Sequence, residues 1–139
     1  MAFQIPIRVY IEDTDAGGIV FYANYLRFFE RARTDFLRAA GITQSVTMQD
    51  NLIFVVRRAA VDYLQPARLD DELQVSCAIK RMTPTRVEFM QEAVRLSDQT
   101  SLVRAEVEVV SVRLDTLKPM AMSQALRSQL QHTIETRNV

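Results

Sequence analysis

Two aspartates two positions apart, Asp13 and Asp15, precede Gly17-Gly18 and the run Ile19-Val20-Phe21-Tyr22, and this stretch is the one best equipped for chemistry. A carboxylate here can attack a carbonyl or take a proton from water. The glycines let the backbone reach positive φ and approach a ligand without a Cβ in the way. Directly afterwards Tyr25, Phe28, Phe29, Ala32, Phe36, Leu37 and Ala40 recur at helical spacing with charged residues between them, so the motif runs into a predicted helix N-terminus. The first turn of a helix carries N–H groups without intrahelical acceptors and a partial positive charge, which suits a carbonyl oxygen turning into an oxyanion. An Asx turn ahead of a helix has the same composition and no chemistry, so the residues alone leave both readings open.

The flanking pattern states which elements position that motif. Phe3, Ile5, Ile7, Val9 and Ile11 alternate with more polar neighbours, a half-buried strand. Gly41 stands where a C-cap would stop the helix. Residues 52–64, rich in β-branched and aromatic side chains, read as a long strand that ends before Pro66. Strand patterns resume over 73–80, over 86–96 and from Val103, with turns at Asp70-Asp71, Thr83-Pro84-Thr85 and 97–101 between them. Val110, Val112 and Leu114 switch the apolar parity, which predicts a bulge or a face buried at both ends. Past Pro119, Ser123 is placed to cap a helix with Leu126, Leu130 and Ile134 on one face. Strand, helix and four further strands joined by short turns predict an α+β architecture, an antiparallel sheet packed on one long helix, as a single domain over residues 1–139.

The bulk properties narrow the function classes. Seventeen basic and seventeen acidic residues cancel, so no overall field favours nucleic acid or an anionic membrane. Cys77 and His132 are the single cysteine and histidine, which excludes an internal disulfide and a zinc site of the usual Cys/His type. No apolar run is long enough to span a membrane and no start reads as a signal peptide, so a reducing, cytoplasmic setting is expected.

The run from Glu12 to Tyr25, followed by Phe29-Glu30-Arg31-Ala32-Arg33, resembles the 4-hydroxybenzoyl-CoA thioesterase family of hotdog-fold acyl-CoA thioesterases. A second block, Val61-Asp62-Tyr63-Leu64-Gln65-Pro66-Ala67-Arg68-Leu69-Asp70-Asp71-Glu72-Leu73, is similar to the same family, closest to its Tol-Pal-associated branch. The resemblance implies a hotdog fold, a sheet of about five strands curled around the long helix. It implies hydrolysis of short aliphatic or aromatic acyl-CoA, coenzyme A being part of the substrate and no cofactor or metal being required. Carried over by position, Asp15 is the catalytic base or nucleophile, the backbone N–H of Tyr22 polarises the carbonyl, and Asp13 orients the turn. Gly17, Gly18, Ile19 and Val20 are assigned to substrate binding together with Thr85, in the turn before a family strand that skirts the nucleotide, and Arg86, a candidate for the coenzyme A phosphates along with Lys80, Arg81 and Arg104.

One position departs from the resemblance. The Tol-Pal branch typically carries histidine where this chain has Tyr22, and members acting on aromatic acyl groups carry tyrosine there, which leaves both substrate classes open. Tyrosine, with a reference pKa of about 10, is a poor acid or base near neutrality, leaving Asp15 alone in that role. A hydratase needs a histidine beside its acid, and the motif has none. The alternative outside enzymology is a module that binds acyl-CoA or acyl carrier protein without turnover; a buried, unemployed Asp15 carboxylate would argue against it. Arg57 and Arg58 are expected at a sheet edge or subunit contact, Glu30 in a pair with Arg27, Arg33 or Thr34, Cys77 in the core and His132 in solvent. Hotdog relatives form dimers with sites at the interface and often tetramers, so a homodimer or homotetramer is expected, with Val110, Val112 and Leu114 as candidates for the covered surface.

Overall fold

The computed structural model describes residues 3–137. Five strands, β1 (Phe3–Arg8), β2 (Leu52–Tyr63), β3 (Glu72–Met82), β4 (Arg86–Arg95) and β5 (Ser101–Arg113), form one antiparallel sheet in the order β1-β3-β4-β5-β2. Three helices accompany it: α1 (Asn24–Ala39), α2 (Gln44–Gln49) and α3 (Gln124–Arg137). This is the hotdog fold of the α+β class.

The sheet holds α1 through one aromatic face. Phe28, Phe29, Ala32 and Phe36 are buried in the same cluster as Val75, Cys77, Phe89, Val107 and Val109, the inward side chains of β3, β4 and β5. Phe36 meets Phe3 and Phe89 edge-on, with ring centroids 5.6 and 6.0 Å apart. Full burial contributes about 1.5–3 kcal/mol for each such side chain, so this face sets the helix against the sheet. The helix stops as expected at Gly41, whose φ of 82° permits a Schellman cap: Gly41 N–H donates to Arg38 O at 3.0 Å and Ile42 N–H to Leu37 O at 2.8 Å. Ser123 accepts from Leu126 N–H at 3.1 Å and Leu130 is fully buried, as its spacing predicts.

Three expectations change, and one helix is new. The first strand ends at Arg8, and Ile11 is 77% exposed, because Asp13 turns the chain: its N–H donates to Tyr10 O and its Oδ2 accepts from Tyr10 N–H, both at 2.9 Å. β5 carries no bulge at Val110; its extra residue is Leu102, skipped between the pairs Ala93↔Val103 and Val94↔Ser101. Beyond Val109 the inward position passes to a polar residue, Ser111, which is buried and donates to Met120 O at 2.5 Å, while Val112 is covered by the chain's own return past Pro119. Of the three side chains expected to need a second subunit, Leu114 alone is exposed. Finally, α2 has no counterpart in the sequence reading, since six residues are too few to display a helical period.

Candidate active site

The Asp13–Tyr22 loop is a closed, hydrogen-bonded hairpin. Thr14 and Val20 form an antiparallel bridge, Asp15 N–H donates to Ile19 O at 3.0 Å, and Gly18 N–H donates to Asp15 O at 3.0 Å. Asp15 Oδ1 accepts Gly17 N–H at 2.9 Å, an Asx turn, and a Cβ added to Gly17 would lie 3.3 Å from that oxygen. Gly18 sits at φ 77°, where most L side chains are strained. The glycines therefore leave the Asp15 carboxylate standing on a tight turn, exposed to solvent. This exposure corrects the burial argument made against a binding module: an exposed carboxylate carries no comparable desolvation cost.

Asp13 ties this loop to the helix. Its carbonyl accepts Phe21 N–H at 3.0 Å and Asn24 Nδ2 at 2.9 Å, and its carboxylate is engaged by Tyr10. At the start of α1, Phe21 O accepts Asn24 N–H at 2.8 Å and Ala23 O accepts Leu26 N–H at 3.2 Å. Among the described residues no acceptor faces Tyr22 N–H or Ala23 N–H. In a trans peptide the carbonyl and the following N–H point opposite ways, so Tyr22 N–H is directed away from the helix body, out of its N-terminus. Oxyanion chemistry needs open amides of this kind.

The second sequence block lies over the first. Val20 N–H donates to Ala67 O at 2.9 Å, Ala67 N–H donates to the Tyr25 hydroxyl at 3.1 Å, Leu69 N–H donates to Gly18 O at 3.3 Å, and Tyr63 Oη donates to Tyr22 O at 3.2 Å. Burial raises the Tyr25 phenol above its ordinary value and outweighs the opposing hydrogen bond from Ala67 N–H, keeping its hydroxyl neutral. Arg95 secures the block from below, donating to Pro66 O at 2.8 Å, Asp71 at 3.0 Å and Asp98 at 3.0 Å. The hydrogen bonds it donates to these aspartates hold its guanidinium above the usual range. Sequence reasoning assigned no role to Tyr63, Ala67 or Arg95, although the resemblance already contained the first two.

The predicted binding residues separate into two groups. Gly17, Gly18 and Ile19 are on the Asp15 loop; Val20 is on it too, but its side chain is 4% exposed and belongs to the core. Thr85 and Arg86 lie at the start of β4, while Arg95, at its end, touches the Asp15 side of the fold, a separation of about 30 Å at strand rise. One chain does not bring them together. The basic candidates are also paired with carboxylates: Lys80 with Glu106, Arg81 with Glu88, Arg104 with Glu92, and Arg86 with Glu108, which it shares with Arg57. Glu30 forms no ion pair within 4 Å among the described residues, Cys77 is fully buried and His132 is exposed.

Near Thr85 and Arg86 the start of β2 borders a cavity of about 370 Å³. Its walls include Phe54, Val87, Phe89 and Val109, with Glu30 and Arg33 at the α1 side. Burial lowers the Arg33 guanidinium below its usual range, and its Nη1 donates to Gln91 Oε1 at 3.0 Å.

Known proteins share this fold. The fold is that of hotdog thioesterases: the structure of Slr0204, a 1,4-dihydroxy-2-naphthoyl-CoA thioesterase from Synechocystis, superposes with a TM-score of 0.85 at 22% identity, covering 94% of this chain and 96% of that one. The chain belongs to the Thioesterase-like superfamily, whose pattern matches residues 9–130, and it is a thioester hydrolase. The acyl-CoA thioester hydrolase YbgC of Escherichia coli O157:H7 is 44% identical over 124 residues, which are 89% of this chain and 92% of that protein. The acyl-CoA thioesterase YbgC of Haemophilus influenzae is 40% identical over 131 residues, 94% of this chain and 95% of its own length.

Proposed function

We propose that this protein hydrolyses acyl-CoA thioesters with Asp15 as base or nucleophile and Tyr22 N–H as the donor to the carbonyl oxygen. The observation that carries the reading is the open Tyr22 amide at the start of α1, joined through Asp13 to the loop that presents Asp15. Attack by Asp15 on the thioester carbon gives a mixed anhydride and releases coenzyme A thiolate, after which water adds and frees the acid. With Asp15 as base, water attacks directly and the same thiolate leaves. Neither route uses a resident cofactor, because coenzyme A arrives as part of the substrate; acyl carrier protein carries the same thioester and is the alternative donor. The motif supports membership of the 4-hydroxybenzoyl-CoA thioesterase family near its Tol-Pal-associated branch, with Tyr22 in place of histidine. Among the described residues no helix is long and apolar enough to cross a membrane, and we place the enzyme in the cytoplasm.

The complete site requires a second copy of the chain in this reading. β2 is twelve residues long, lies at the sheet edge and exposes Val55 and Val56, a surface that invites strand pairing. Antiparallel pairing of two β2 edges sets the beginning of one beside the end of the other. That brings the cavity near Phe54, with Thr85 and Arg86, toward the Tyr63 end of the second copy, where its Asp15 loop lies. Sedimentation at micromolar concentration gives a dimer or a dimer of dimers on this scheme, and a monomer refutes it. Thiol release from a graded panel of acyl-CoA and acyl-carrier substrates tests the activity. Binding without turnover across that panel would overturn it in favour of a binding module.

A further inference from the structure

The carbonyl of Tyr22 is held by a residue forty-one positions away. Tyr22 O would ordinarily accept an N–H from the first turn of α1, but the first-turn donor Leu26 goes to Ala23 O at 3.2 Å instead. Tyr22 O accepts Tyr63 Oη from the end of β2 at 3.2 Å. Because the Tyr22–Ala23 peptide is trans, its N–H, which belongs to Ala23, points opposite to the Tyr63 hydroxyl. That N–H has no acceptor among the described residues.

We propose that Tyr63 is a positioning residue of the thioesterase site, fixing the Tyr22–Ala23 peptide so that Ala23 N–H joins Tyr22 N–H as a second donor to the oxyanion. This rests on the assignment of the Tyr22 amide to the thioester carbonyl. A hydroxyl donated to one end of a peptide polarises it and strengthens the N–H at the other end, so the contact acts on charge as well as orientation. The ring is held in place by neighbours on two sides. Tyr63 lies edge-on to Tyr22 with centroids 6.1 Å apart and packs at 5.8 Å against Tyr25, whose own hydroxyl is fixed by Ala67 N–H. Partial burial, and after it the Tyr22 phenol, raises the Tyr63 phenol above its ordinary value, so it remains a donor through neutral pH. The position also accounts for the chemistry of the second sequence block, whose tyrosine would otherwise be an exposed aromatic at a strand end.

Tyr63→Phe keeps the ring contacts and removes only the hydroxyl. On the acyl-CoA that the parent turns over fastest, kcat should fall roughly three- to tenfold with KM within twofold, the value of one hydrogen bond realised at the transition state. A structural role would move stability instead, so thermal unfolding is measured alongside and should shift little. The second readout is the carbonyl stretch of a ¹³C-labelled thioester bound to Asp15→Asn: adding Tyr63→Phe should return part of its downshift toward the free value. Unchanged kcat in Tyr63→Phe with an active parent overturns the role of Tyr63 alone, as does an unchanged carbonyl stretch. A parent that binds acyl-CoA without turnover overturns the site assignment and this inference with it.

Discussion

Gln91 provides the sharpest test of how α1 is held on the sheet. It projects from β4 into the core at 3% exposure, where an apolar side chain would be the default. Its Nε2 donates to Phe29 O at 2.9 Å and more weakly to Ser76 O at 3.4 Å, and its Oε1 accepts from Arg33 Nη1 at 3.0 Å. Gln91→Leu keeps the approximate size and removes all three. The neutral bond to Phe29 is worth about 1 kcal/mol and the charge-assisted bond to Arg33 about 2 kcal/mol, so a loss of roughly 3 kcal/mol is expected. For a chain of this length that lowers Tm by about 10 °C. Gln91→Leu/Arg33→Leu should recover at least half of the loss, because removing both partners leaves no buried cation without its acceptor. Urea unfolding and calorimetry at fixed protein concentration measure both variants, the concentration being held because association would contribute. A change under about 0.5 kcal/mol in Gln91→Leu, or a double variant that loses the full sum of the singles, refutes the reasoning.

Three more outcomes are expected. Asp15→Asn should fold and bind ligand while kcat falls on the order of a hundredfold or more, and Asp13→Asn should cost less activity and more stability because its carboxylate holds Tyr10 N–H; the reverse pattern would exchange their roles. Tyr22→Phe should keep most activity, since the amide proposed to meet the carbonyl is backbone, and a loss of several orders of magnitude with the fold intact would bring the hydroxyl into the chemistry. Asp115 is held down to about 2 by hydrogen bonds from Arg113 and Asn51. A depressed carboxylate stabilises above its unfolded pKa, about 3.9, and that contribution disappears as pH falls toward 2. Carboxyl chemical shifts should therefore place its midpoint near 2, and a midpoint near 4 would show the pair is not formed in solution.

Strand and helix positions were legible because their signals are local. The two-residue alternation of β3 and the three-to-four spacing of α1 depend only on which face meets the core, and Gly41 and Ser123 announce their caps by chemistry confined to one turn. The same locality explains the errors. Ile11 continued the alternation of β1 in composition, but a side chain two residues on, Asp13, captured the backbone of Tyr10 and turned the chain first. Ser111 broke the alternation of β5 in composition while keeping its inward place, because its hydroxyl found carbonyls across the chain.

Local patterns carried the order of the five strands with α1 and α3, the face of α1 that is buried, and the carboxylate, glycines and helix start of the candidate site, but not α2. Which segments meet follows from the folded arrangement alone. The sheet order β1-β3-β4-β5-β2 lays the block around Ala67 over the Asp15 loop and carries Tyr63 to the carbonyl of Tyr22. It also sends Thr85 and Arg86 to the opposite end of β4, although their residue types fitted the same ligand. Residue type and spacing report how a segment treats water on its two faces, whereas contact between segments forty residues apart follows from strand order and register, which arise when all five strands compete for neighbours together.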